Sequence, residues 1–79
     1  MEAFVSQFVT WAAGNEFSTR EAYQLYTRVQ AICDYEYLEE RTFFRRFAKA
    51  MAAQYHASGC NTVDGRTRGY RGFKLRIYP

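Results

Sequence analysis

Apolar residues recur along this chain with helical period three times, and then with the period of a strand. Over residues 2–13, Phe4, Val5, Phe8, Trp11 and Ala12 fall on one face, which predicts a helix with an aromatic stripe. Gly14-Asn15 supplies a stop. Ser18-Thr19-Arg20-Glu21 then forms an S-x-x-E capping box, in which the serine hydroxyl and the glutamate carboxylate each satisfy a backbone amide of the other residue. Phe17, just before it, suits a short extended piece. The second helix is expected over residues 19–33, burying Ala22, Leu25, Tyr26, Val29 and Ile32.

Residues 34–37 read as a connection, followed by a third helix over about residues 39–55. Glu39 and Glu40 sit in its first turn, where the positive end of the macrodipole favours carboxylates. Phe43, Phe44, Phe47, Ala48 and Met51 make its apolar stripe. Thr42, Arg45, Arg46 and Lys49, at i, i+3, i+4 and i+7, form a continuous row on the other side.

After Ser58-Gly59 the period changes. Residues 60–63 suit a short strand and Asp64-Gly65 a tight turn, with residues 66–69 extending the tip. Residues 70–78 alternate, with Phe73, Leu75 and Ile77 on one face and Gly72, Lys74 and Arg76 on the other. That is the pattern of an antiparallel strand with one face on a core. The order is helix, helix, helix, hairpin, in one α+β domain spanning residues 1–79.

Composition adds that the core must be dense, since a chain this short buries only about 60% of its unfolded surface. Seven Phe, seven Tyr and one Trp among 79 residues supply the necessary bulk. No apolar run approaches the ~20 residues that span a bilayer, and MEAFVSQF lacks the basic start of a secretion signal, so a cytoplasmic location is expected (the host cytoplasm for a viral protein). Cys33 and Cys60 are not part of a CxxC or Cys/His cluster and read as reduced thiols. His56 reads as a surface or cap residue. No nucleophile–base spacing, paired acid–base groups or GxxxxGK[ST] loop stands out, so neither catalysis nor a cofactor is expected.

Charge changes the picture most. Residues 1–40 carry seven acidic and two basic groups, a net of −5, whereas residues 41–79 carry nine basic groups and only Asp64 as an acid, a net of +8. A domain basic on one side has a phosphate backbone as its usual partner. The cations fall on two elements, the third helix (Arg41, Arg45, Arg46, Lys49) and the hairpin (Arg66, Arg68, Arg71, Lys74, Arg76).

Three short helices and a basic hairpin are the ingredients of a winged helix-turn-helix, whose third helix enters the DNA major groove while the hairpin reaches the backbone or minor groove. Four segments carry a family resemblance: Phe8-Val9-Thr10-Trp11, Tyr23-Gln24-Leu25-Tyr26, Thr42-Phe43-Phe44-Arg45-Arg46-Phe47, and the ending from Gly65 to Leu75. Its most specific piece is Tyr70-Arg71-Gly72-Phe73-Lys74-Leu75, similar to an aromatic-x-Gly-apolar-x-Leu ending. The chain resembles the small winged-helix domain at the C-terminal end of phage and plasmid replication primase-helicases of the poxvirus type. The resemblance implies replication-origin DNA binding, through Thr42, Arg45, Arg46, Lys49, Arg66 and Arg68. Nothing here resembles the catalytic parts of those proteins, which suits an excised domain or a free-standing protein on the same plan, such as a phage regulator or recombination directionality factor.

The expectation is thus double-stranded DNA binding, with Arg45 or Arg46 forking onto a guanine edge and Arg41 and Lys49 on phosphates. Arg66 and Arg68 would meet the minor groove or backbone, supported by Arg71 and Lys74. A homodimer and a larger replication assembly both remain open. A protein-interaction module using the acidic helices or exposed tyrosines is the alternative from another class, and RNA or single-strand binding a third. Phe4, Phe8 and Trp11 are expected in the core. Among Tyr35, Tyr37, Tyr70 and Tyr78, Tyr70 is the candidate for stacking on a base.

Overall fold

The computed structural model describes residues 1–61 and 68–76, so Arg66, the Asp64-Gly65 turn, Ile77 and Tyr78 lie outside the described residues. The chain is α+β: α1 (Glu2–Phe8), β1 (Val9–Ser18), α2 (Thr19–Val29), α3 (Glu40–Tyr55), β2 (Cys60–Asn61) and β3 (Arg68–Leu75). The strands form one antiparallel sheet in the order β1-β3-β2.

The first helix is shorter than its apolar pattern predicts. It stops at Phe8, and Val9 is already extended at φ −112°, ψ 129°. Val9, Thr10 and Trp11 pair instead with Leu75, Lys74 and Phe73. β-branched and aromatic side chains favour the pleated surface, and the ladder gives their backbone groups partners. Gly14-Asn15, expected to end a helix, sits in an irregularity where residues 12–15 of β1 stand against Gly72 of β3. Gly14 and Gly72 both have φ +86°, the left-handed region that costs a glycine nothing.

This switch in period moves Trp11 out of the expected core: it is 68% exposed, its indole lying over Gly72 and edge-on to Phe73 at 5.1 Å. The Gly72 irregularity also breaks the alternation expected of β3, so that Tyr70 and Phe73 are both buried although three positions apart.

The capping box forms as expected, with Glu21 N–H donating to Ser18 Oγ at 3.0 Å and Ser18 N–H to Glu21 Oε1 at 2.9 Å. α2 ends at Val29, and the following turns close on Asp34 in the left-handed region (φ 58°), with Tyr35 N–H donating to Gln30 O at 2.9 Å. Ile32, expected inside, lies on that turn and is 62% exposed. The connection to α3 is held by tyrosines of α2. Tyr23 Oη donates to Leu38 O at 2.9 Å and Tyr26 Oη to Glu36 O at 2.6 Å.

α3 buries Phe43, Phe47, Ala50 and Met51. Ala48, expected in the stripe, is exposed and Phe44 half-buried, because the buried arc follows Phe43, Phe47 and Ala50 at i, i+4 and i+7. His56 caps the helix in the left-handed region (φ 53°), its N–H donating to Ala52 O at 3.1 Å. The core is an aromatic cluster centred on Phe4, which meets Phe8, Tyr26, Tyr35, Phe43 and Phe47. Phe47 joins this cluster to the sheet through Phe17 at 6.0 Å and Tyr70 at 5.6 Å.

Candidate nucleic-acid interface

α3 is 16 residues long, about 24 Å at 1.5 Å per residue, enough to cross a DNA groove. With its core face fixed by Phe43, Phe47, Ala50 and Met51, its outer face carries Arg41, Arg45, Ala48, Lys49 and Ala52, all exposed. The methyl groups of Ala48, beside Arg45 and Lys49, and of Ala52, just past Lys49, keep the C-terminal half of this face low, so a partner surface can approach the helix closely there. Thr42 belongs to the same row but is half-buried.

Arg46, at the edge of the row, is already engaged. Its Nη1 lies 2.5 Å from Glu36 Oε1, with both side chains well exposed (52% and 66%). The tyrosine-anchored connection brings this acid back across α3, ten positions away in sequence. Burial raises the pKa of the Tyr26 hydroxyl that holds the Glu36 carbonyl; the Glu36 carboxylate adds to the rise and the Arg46 guanidinium opposes it. Beyond Arg46 and Lys49, a cleft of about 520 Å³ opens between α3 and the start of α1, lined also by Met1, Glu2 and Ala3. Gln54 ties the two helices together, accepting from Ser6 Oγ at 2.8 Å and donating to Glu2 O at 3.0 Å.

The cations of the hairpin divide. Arg68 is exposed at the start of β3, opposite Asn61, and its guanidinium lies so close to Gly59 that a Cβ there would meet it at 3.4 Å. It therefore lies beside the loop that leaves α3. Arg71 and Lys74 are exposed too, but each follows a buried residue, Tyr70 and Phe73, on either side of the Gly72 irregularity, and so turns to the face of the sheet away from Phe47. There Arg71 stands opposite Glu16 and Lys74 opposite Thr10. The described residues named from sequence thus fall into three sets: Arg41, Thr42, Arg45, Arg46 and Lys49 on α3, Arg68 beside the loop that leaves α3, and Arg71 with Lys74 on the outer face of the sheet.

Tyr70, the tyrosine singled out for base stacking, is 2% exposed and packs on Phe17 at 5.8 Å, so its ring is not available to a ligand. Tyr35 stacks on Tyr26 at 5.6 Å, and Tyr37 is 70% exposed. The available aromatic near the sheet is Trp11, which helical spacing had assigned to the core. The run Val9-Thr10-Trp11 before Gly14 was the sequence signal for its strand conformation.

Among the described residues, no group of three or more His, Cys, Asp or Glu gathers as a metal site, and no helix is long and apolar enough to cross a membrane. Cys33 is a free, partly buried thiol. Compared with known proteins, the chain matches no family model, no curated relative and no solved structure.

Proposed function

We propose that this chain is a winged-helix domain that binds double-stranded DNA, with α3 in the major groove and the β2–β3 ribbon alongside it. The observation that carries the reading is the outer face of α3: Arg41, Arg45 and Lys49 exposed on one helix, with the small side chains of Ala48 and Ala52 exposed beside them. A helix about 10–12 Å across fits a groove about 12 Å wide only where its outer side chains are small or reach for the DNA. The order helix, strand, helix, helix, strand, strand, with β3 central in the sheet, supports the same reading.

In this proposal Arg45, farthest from the core on α3, forks onto a base edge, while Arg41 and Lys49 rest on phosphates. Arg46 stands beside them, held by Glu36 and within reach of one further phosphate once that acid is removed. Arg66 and Arg68 serve the ribbon end, and Arg71 and Lys74 add positive field from the sheet. The resemblance to the winged-helix domain of phage and plasmid primase-helicases suggests an origin or regulatory DNA as target. A protein-docking module is the second reading, favoured by Ile32 and Tyr37, exposed at 62% and 70% on the α2–α3 connection.

Binding of a labelled duplex pool across a salt series tests the proposal. Log affinity should fall with log salt at a slope of about −4 if some four to five phosphates are neutralised, and selection from random duplexes should enrich one motif. Absence of binding at low salt would sink the DNA reading in favour of docking.

A further inference from the structure

His56 is the sole histidine of the chain, and it stands between the cations of α3 and Arg68 at the start of the ribbon. It follows Lys49 by seven positions and Ala52 by four, so its Cα continues the exposed row of α3 that runs through Arg45. There the helix ends. The φ of 53° turns the chain out of the helix while the His56 N–H still donates to Ala52 O at 3.1 Å, and the side chain is exposed. Three positions on, Gly59 lies against the guanidinium of Arg68. Three Cα steps span at most about 11 Å, so His56 links the helical cations to Arg68. Histidine is among the few residues other than glycine that enter the left-handed region readily, which accounts for its backbone at this cap. Capping makes no use of the exposed imidazole.

The charges around that ring are mostly of one sign. Lys49 precedes it on the same face of α3, and Arg68 comes from β3. Tyr55, next to it, is neutral and donates its hydroxyl to Val9 O at 2.9 Å. From α1, the acid that approaches this end of α3 is Glu2, whose backbone carbonyl accepts from Gln54. The last turn of α3 carries no basic residue, so the negative end of the helix dipole meets no fixed cation there and favours a proton on the imidazole. The N-terminal end of α3, by contrast, follows directly on the exposed carboxylates of Glu39 and Glu40. A phosphate backbone lying along the row is therefore repelled at that end and accepted at the C-terminal one, where Ala48 and Ala52 also leave the face low. An imidazolium in that place offers two N–H donors and a charge, whereas the neutral ring offers one donor and no charge.

We propose that His56 is a pH-dependent phosphate contact of the duplex site. Protonated, it adds one ion pair with the DNA backbone between the contacts of Lys49 and Arg68; neutral, it removes that pair. The inference rests on the duplex reading of α3 and adds a regulation to it: binding tightens as pH falls through the range in which histidines gain their proton.

Anisotropy of a labelled duplex is measured with the intact 79-residue protein across a salt series at about pH 8 and about pH 5.5, between which a histidine changes charge. Near physiological salt the wild type should bind about fivefold more tightly at the lower pH, with a salt slope steeper by about 0.9. His56→Asn, whose side chain also tolerates the left-handed region, should lose both changes and otherwise bind as the wild type does at high pH. His56→Lys, charged throughout, should show at both pH values the slope that the wild type shows only at the lower one. Amino termini and thiols in general begin to titrate at the upper end of this range. His56→Asn keeps them all, so its difference from the wild type isolates the imidazole. Melting midpoints at both pH values separate contact from capping, because a ring that only caps α3 would move the midpoint and leave duplex binding alone. That result overturns the inference. So does an equal pH dependence in the wild type and His56→Asn, or a His56→Lys slope no steeper than the wild type's at high pH. Absence of binding by all three proteins at both pH values would remove the duplex reading and this inference together, whereas binding without the pH difference removes this inference alone.

Discussion

The outer face of α3 and the outer face of the sheet both carry cations, but they offer them differently. On α3, Arg41, Arg45 and Lys49 are spaced by helical turns, with Ala48 and Ala52 exposed beside them. On the sheet, Arg71 is set directly opposite Glu16, and opposite charges at such a position attract one another across the strands. The helix is also convex and regular, whereas the sheet is bent at the Gly14 and Gly72 irregularity. The cations therefore lie on one surface that is regular and free of facing acids and on another that is bent and partly matched by an acid. Availability to a polyanion is set by local geometry more than by the net of +8 over residues 41–79.

The most severe way to break this comparison is to remove what both faces rest on. Phe47 is fully buried, stacks on Phe43 at 5.2 Å and meets Phe17 and Tyr70 of the sheet. Phe47→Ala should cost about 3–5 kcal/mol through lost burial and a cavity. A domain of this size has a total stability of roughly 4–12 kcal/mol. Urea melts followed by circular dichroism should show a greatly lowered midpoint, with helix and sheet signals lost together. Separate transitions would mean that the two faces stand on separate foundations.

A sharper comparison sets Arg45→Ala against Arg71→Ala in duplex binding. Arg45→Ala should cost about 1–3 kcal/mol, with preference blurred at one base position. Arg71→Ala acts only through the screened field and should change affinity less than about twofold at physiological salt, where the Debye length is about 8 Å. Equal losses measured by gel shift would merge the two surfaces into one.

How far these surfaces were legible in the sequence differs element by element. α3 has four turns of unbroken period, so its cationic row could be read directly, Thr42 and the position of Ala48 aside. The stretch after Phe8 satisfied helical and strand periods at once, and the partner that decided between them, β3, lies some sixty positions further on. No local signal contains that pairing, so Trp11 was assigned to the buried core although it stands exposed beside Phe73 on the edge strand. The same holds for Arg46. Its acid was reachable only once the hydroxyl of Tyr26 had folded the connection back over α3. Local caps such as Ser18 and His56 were legible because every group they need lies within a few residues. The hairpin pairing of β2 with β3 was legible as well, although its arginine-bearing tip is outside the described residues.

The smallest expected effect concerns that last contact and separates the faces most finely. Glu36→Gln removes the charge that holds Arg46 but leaves the Glu36 backbone carbonyl, and so the connection remains anchored by Tyr26. Because both partners are more than half exposed, the pair contributes only about 0–1 kcal/mol to folding, and the melting midpoint should barely move. If Arg46 belongs to the duplex interface, its release should add one phosphate contact and steepen the salt slope by about 0.9. The matching change on the sheet, Glu16→Gln, removes the acid opposite Arg71 and should leave that slope unaltered, because Arg71 gains no phosphate to meet. A steeper slope in both variants would place the sheet face against the duplex as well. A slope unmoved in either would confine the proposed interface to Arg41, Arg45 and Lys49, with Arg46 serving only to pin the connection.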